Sequence, residues 1–269
     1  IGIGLYCRKH ATDVNGFVLG GRSVGPWLTA FAYGTSYFSA VVFVGYAGQF
    51  GWKYGIAATW AGIGNAIIGS LLAWVVLGRR TRIMSQHLDS ATMPQYFGKR
   101  FGSNPLKIGA SVIIFIFLIP YTASLYNGLS RLFGMAFNID YSVCIIIMAT
   151  LTAIYVIAGG YMATAINDFI QGIIMLFGII AVIAAVIHSK GGFMSALQGL
   201  ANVSDPAVSN TPGIFASFFG PDPFNLLCVV ILTSLGTWGL PQMVQKFYAI
   251  DNEASIQKGT VISTIFALI

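Results

Sequence analysis

One carboxylate, Asp168, stands in an otherwise uncharged stretch covering residues 141–187. Thr164 at i−4 and Gln171 at i+3 fall on the same helical face. A carboxylate at a helix centre in lipid costs roughly 2.5–3.5 kcal/mol on insertion scales, so such a group faces protein or a wet cavity and often serves an ion or proton. The stripe therefore suits a cation. It equally suits a carboxylate held near a helix N-terminus, where the dipole favours it. Two further stretches mix glycine with hydroxyls: Gly34-Thr35-Ser36-Tyr37-Phe38-Ser39 and Thr233-Ser234-Leu235-Gly236-Thr237-Trp238-Gly239-Leu240-Pro241. Such runs weaken a helix in mid-span. Freed carbonyls can then coordinate a cation, and half-helix N-termini attract an anionic group. For each run alone, close helix packing on small residues is an equal account. Asn65, between Gly64 and Ala66, reads as interhelical glue more readily than as a ligand.

The elements that must position these residues are membrane helices. Hydrophobic residues make up 56% of the chain and charged residues 8%, against about a quarter charged in soluble domains. Charge-free runs cover residues 23–52, 54–78, 108–130, 141–167, 169–187 and 223–245, each long enough to cross a hydrocarbon core of about 30 Å. The pattern predicts helix 1 at the N-terminus, helix 2 at 26–48, helix 3 at 57–78 and helix 4 at 108–127. Helices 5 and 6 follow at 141–158 and 164–187, turning at Gly159-Gly160. Helix 7 is predicted at 225–245, and helix 8 from 259. Pro94 to Phe97 begins a short interfacial helix, and another falls near 193–202. Both chain ends read as cut through helices, so residues 1–269 are expected to be a single transmembrane domain from a longer protein.

Helices 2 and 7, which carry the interruptions, are five apart, and paired breaks at matching places in two repeats point to a transporter binding site. The odd-numbered loops collect 11 Lys and Arg, namely Arg8, Lys9, Arg22, Arg79, Arg80, Arg82, Lys99, Arg100, Lys107, Lys246 and Lys258. The even-numbered loops hold three, Lys53, Arg131 and Lys190. This split puts the odd-numbered loops in the cytoplasm of a multi-pass cell-membrane protein. It also accounts for the net charge of +6 without a nucleic-acid partner. Cys7, Cys144 and Cys228 have no metal or disulfide spacing. The spans offer Asp168 no His or Glu partner for enzyme chemistry.

Several stretches resemble the sodium:solute symporter family of proline, pantothenate, monocarboxylate and sugar carriers. They are Phe17-Val18-Leu19-Gly20-Gly21-Arg22-Ser23, the run from Thr92 to Gly102, the run from Tyr155 to Ala163, and Asn167-Asp168-Phe169-Ile170-Gln171. Tyr161 departs from the family pattern, where Leu, Met or Phe is usual. The resemblance implies an all-α, leucine-transporter-like bundle of inverted five-helix repeats, truncated at both ends. Residues 26–187 would form the first repeat, and residues 225–269 would start the second. It implies a sodium ion, the transported coupling ion, on the carbonyls of Thr35 and Phe38 with further ligands on a helix 9 outside this chain. It links Asp168 to sodium coupling. Substrate-facing positions map to Tyr37 and to residues 40–42, and a small organic acid or amino acid is favoured.

The expected function is sodium-coupled symport of a small organic solute by alternating access in a lipid bilayer. The solute is expected against Ser36, Tyr37 and Ser39 on one side and Thr237, Trp238 and Gln242 on the other. The rival is a membrane-embedded solute sensor fused to a signalling domain beyond Ile269.

Overall fold

A computed structural model describes residues 2–38 and 46–269. Its helices are α1 (Gly2–Cys7), α2 (Val14–Leu19), α3 (Pro26–Tyr37), α4 (Gly48–Tyr54), α5 (Thr59–Gly64) and α6 (Arg79–His87). They continue with α7 (Met93–Phe101), α8 (Asn104–Phe137), α9 (Tyr141–Ser189), α10 (Phe193–Ala201), α11 (Pro223–Gly236), α12 (Pro241–Ala249) and α13 (Glu253–Leu268). Polar loop residues start many of them. Asp13, Thr92, Ser103, Asp222 and Asn252 each accept a backbone N–H from the first turn that follows, satisfying donors that a helix leaves open.

Among the described residues, three helices are long and apolar enough to cross a membrane, or four if the bent pair α11–α12 is one span. At 49 residues, α9 would be roughly 74 Å long if straight, twice what a bilayer core needs. Gly160 resolves this with φ 54° and ψ −148°, a conformation essentially confined to glycine. A Cβ there would lie 2.7 Å from the Phe17 carbonyl oxygen, so the break is also a close contact with α2. Large apolar side chains such as Phe115, Phe117 and Phe177 point outward from α8 and α9, the surface a lipid-facing helix presents.

Three buried clusters run through the bundle. Leu19, Val24, Tyr161, Val244 and Tyr248 fill the end that carries the odd-numbered loops. Tyr33, Tyr37, Trp74, Met243, Phe247 and Ile256 fill the middle, and Tyr54, Ala57, Leu226 and Val230 the far end. Small residues set the helix spacing. Phe266 of α13 covers Gly34, and Phe31 of α3 covers Gly172. Phe31 also meets Phe169 in a tilted pair and Phe266 edge-on, at 4.8 and 5.2 Å between ring centroids.

Several boundaries differ from those the sequence predicts. Helix 3 does not stop at residue 78: α5 passes through wide π-helical turns over Asn65–Leu72 and Trp74–Gly78 into α6. Arg79, Arg80 and Arg82 are therefore helical. The physical reason lies in Arg82, which is 4% exposed and donates to the carbonyls of Ile250 and Asp251 at 2.6 and 2.9 Å. Lys246 and Lys258 likewise lie on α12 and α13 and not in a loop. The short helices near residues 94 and 193 are α7 and α10.

Candidate functional site

Helix α3 ends at Tyr37, and Phe38 leaves the helical region at φ −92°, ψ 72°. The Thr35 hydroxyl donates back to the Phe31 carbonyl at 2.9 Å, a bond that loosens a helix end. The second interruption is complete within the described residues. After α11 the chain tightens into a 3₁₀ turn at Thr237–Gly239, Leu240 is extended at φ −68°, ψ 127°, and α12 begins at Pro241. The two helices meet at a 53° bend. Proline forces this locally, because it disfavours the helical region for the residue before it.

Both interruptions border one cavity of about 840 Å³. Ser36, Tyr37 and Phe38 line it from α3, and Thr233, Gly236, Thr237 and Leu240 from the α11–α12 bend. Asn65, Phe50, Tyr121, Met175 and Phe266 complete much of the wall. No charged side chain lines it among the described residues.

Asn65 holds three helices at this cavity. Its Oδ1 accepts the Tyr37 hydroxyl at 2.7 Å and the Ser234 hydroxyl at 3.0 Å. The Tyr37 oxygen also lies 3.2 Å from the Thr233 carbonyl oxygen. One amide oxygen thus fixes the end of α3, the start of the wide helical stretch after α5, and α11. The reading of Asn65 as interhelical glue matches this geometry, and the same side chain also faces the cavity.

Asp168 lies about two turns beyond the Gly160 break. Its Oδ2 is 3.7 Å from the Lys246 ammonium. Lys246 is 6% exposed, and its ammonium also sits over the Tyr161 ring, 5.1 Å from the centroid. The polar stripe predicted around Asp168 does not assemble: the Thr164 hydroxyl donates to the Tyr161 carbonyl at 2.8 Å, and Gln171 is exposed.

Beyond this pair the odd-loop end is closed by main-chain and guanidinium contacts. Val24 pairs with the chain after α12 through Val24 N–H to Ala249 O and Asp251 N–H to Val24 O, at 3.3 and 3.1 Å. Arg22 donates to the Ser90 carbonyl at 2.8 Å and to the Ser85 hydroxyl at 3.2 Å. Burial pushes the Arg22 guanidinium below its ordinary value, with Asp89 opposing the shift.

The sequence-predicted site residues divide in three. Ser36, Tyr37, Phe38 and Thr237 line the cavity, and Thr35 lies beside them in the last turn of α3. Trp238 and Gln242 do not line it. The Trp238 indole donates to the Ile68 carbonyl at 3.0 Å, and the Gln242 amide is buried with no hydrogen-bond partner. Ser39 and residues 40–42 lie outside the described residues. Sequence reasoning missed Lys246 as the counter-ion of Asp168. Its place among Met243, Val244, Phe247 and Tyr248 is compatible with burial, but nothing in the sequence pairs it with Asp168.

These features define a multi-pass helical membrane protein. Residues 17–269 match the model of the sodium:solute symporter family, and the chain belongs to that family. It is 30% identical over 253 residues to the osmoregulated proline transporter OpuE of Bacillus subtilis (strain 168), covering 93% of this chain and 49% of that protein. It is 31% identical over 266 residues to the sodium/proline symporter of Staphylococcus aureus (strain JH9), covering 95% and 49%. The symporter of strain NCTC 8325 / PS 47 matches to the same extent. The chain spans about half the length of the curated relatives it matches.

Proposed function

We propose that the protein to which this chain belongs is a sodium-coupled symporter of a small zwitterionic amino acid, with proline the first candidate. The observation that carries this reading is the pair of helix interruptions bordering one uncharged cavity, in a chain of the sodium:solute symporter family whose named relatives are a proline transporter and sodium/proline symporters. An aromatic and aliphatic wall with scattered hydroxyls and one amide suits a compact solute whose charges cancel. Backbone groups left open by a broken helix are tolerated at membrane depth only in protein or beside water, and here they would meet the solute and its ion.

In this mechanism sodium binds at the end of α3, on the carbonyls of Thr35 and Phe38. The Thr35 hydroxyl is already engaged with its own helix. Ser36, Tyr37 and Thr237 face the solute. Sodium and solute each favour the other's binding, as linkage requires. The membrane potential adds about 2.3 kcal/mol per charge per 100 mV. The basic odd-numbered loops face the cytoplasm. Residues 26–187 form the first leucine-transporter-like repeat, and residues 225–269 begin its inverted partner. The position of the breaks, five predicted helices apart and at one cavity, supports that arrangement.

The test is radiolabelled proline uptake into proteoliposomes holding the full-length protein. Uptake should rise under an inward sodium gradient and collapse when potassium replaces sodium. Uptake indifferent to sodium would refute the proposal.

A further inference from the structure

Resting on the symport reading, we infer that Lys246 is a tethered cation. Its ammonium occupies the position on Asp168 that a second transported sodium would need. Asp168 therefore holds α12 against α9 and does not ligate a transported ion.

Lys246 lies on α12, where Met243, Val244, Phe247, Tyr248 and Ala249 around it are all buried. A lysine usually carries its charge to water along its aliphatic stem, but this one is enclosed with the rest of its helix. Its ammonium therefore takes what the interior offers, the Asp168 carboxylate and the Tyr161 ring face. Both are groups that attract a cation.

A bare sodium ion, like other hard cations, needs several oxygens around it. The Tyr161 hydroxyl is buried without a hydrogen-bond partner, and the two polar neighbours on the α9 face are engaged or turned away. The Thr164 hydroxyl donates to the Tyr161 carbonyl, and Gln171 is exposed. With Lys246 in place, what faces the carboxylate is an aromatic ring and a positive charge that repels sodium; with the ammonium gone, the carboxylate, the unpartnered Tyr161 hydroxyl and admitted water are the oxygens left to an ion. The pair is 3.7 Å apart, longer than a charge-assisted hydrogen bond of about 2.8 Å. The ammonium is thus shared between ring and carboxylate. Tyr161 is the residue that departs from the family pattern, so a ring bearing a hydroxyl stands where the tethered cation rests.

The experiment counts ions. Purified full-length wild type, Asp168→Asn, Lys246→Met and the double variant are saturated with ²²Na⁺, and bound sodium per protein is read by scintillation proximity. The steepness of sodium activation of proline uptake is measured alongside. Wild type and Asp168→Asn should bind the same number of sodium ions. Lys246→Met should bind one more, with steeper activation, and the double variant should lose that extra ion again. Loss of one sodium from Asp168→Asn relative to wild type overturns the inference, as does an unchanged count in folded Lys246→Met. If Lys246→Met does not fold, the comparison of wild type with Asp168→Asn decides alone. A wild type with neither sodium binding nor sodium-stimulated uptake defeats the symport reading and this inference together. A lost ion in Asp168→Asn with sodium-driven uptake intact defeats this inference only.

Discussion

Replacing Asn65 with leucine, close in size, removes one acceptor from two buried hydroxyls. If both were orphaned, each would cost about 1–3 kcal/mol. The structure argues for less. The Tyr37 oxygen already lies 3.2 Å from the Thr233 carbonyl oxygen and can donate there. Ser234 sits inside α11 and can return its proton to a carbonyl one turn back, as serines in helices do. The loss then approaches two interhelical hydrogen bonds, which average about 0.6 kcal/mol each in membrane double-mutant cycles. The expected destabilisation is thus about 1 kcal/mol. The assay is equilibrium unfolding of the full-length protein in detergent for Asn65→Leu, Tyr37→Phe and the pair. The Tyr37–Asn65 coupling should be about 0.6 kcal/mol, and no more than about 1.7. A coupling indistinguishable from zero would refute the three-helix tie. A loss above about 3 kcal/mol would show that the hydroxyls find no second acceptor.

Three further outcomes follow from the geometry. Lys246→Met strands the Asp168 carboxylate and should cost about 3 kcal/mol in sodium-free unfolding, whereas Asp168→Asn with Lys246→Met should be close to neutral; equal losses would mean that the pair is not coupled. Gly55 has φ 61° and the Phe215 backbone lies against it, so Gly55→Ala should lower the unfolding midpoint strongly, by about 2 kcal/mol or more. An unchanged midpoint would show that this contact does not persist. The Gln242 amide is buried and unpaired, so Gln242→Leu should raise stability by about 1 kcal/mol and leave proline uptake unchanged. A selective loss of uptake would return Gln242 to the solute.

The outline of the bundle was legible because lipid makes hydrophobicity nearly equivalent to helix, and each glycine or proline cluster then marks a break. Gly160 and Pro241 acted as the sequence implied, one through a conformation only glycine holds and the other through its effect on Leu240. Asp168 was conspicuous as a lone charge. Its partner was not, because a lysine near the end of an apolar run looks the same whether it reaches water or turns inward. Only the packing of α12 against α2, α6 and α9 distinguishes the two. Trp238 and Gln242 show a related limit. Their neighbours Thr237 and Met243 border the cavity, but Trp238 sits in the 3₁₀ turn and Gln242 follows the extended Leu240, and helical spacing supplies neither orientation.

The bend at Leu240 divides one span between two sets of attachments. On one side, α11 is tied to the α5 region through Ser234 and Asn65 and through Val230 over Gly64. On the other, α12 is tied to the N-terminal segment by Gln245 to the Val18 carbonyl at 2.6 Å and by the Val24 pairing that follows Ala249. Helix α3 touches both halves, through Tyr37 beside Thr233 of α11 and through the cluster of Tyr33 and Tyr37 with Met243 and Phe247 of α12. The short 3₁₀ turn and the extended leucine thus mark where one span passes from the contacts of α11 to those of α12, and Leu240 at that corner lines the cavity.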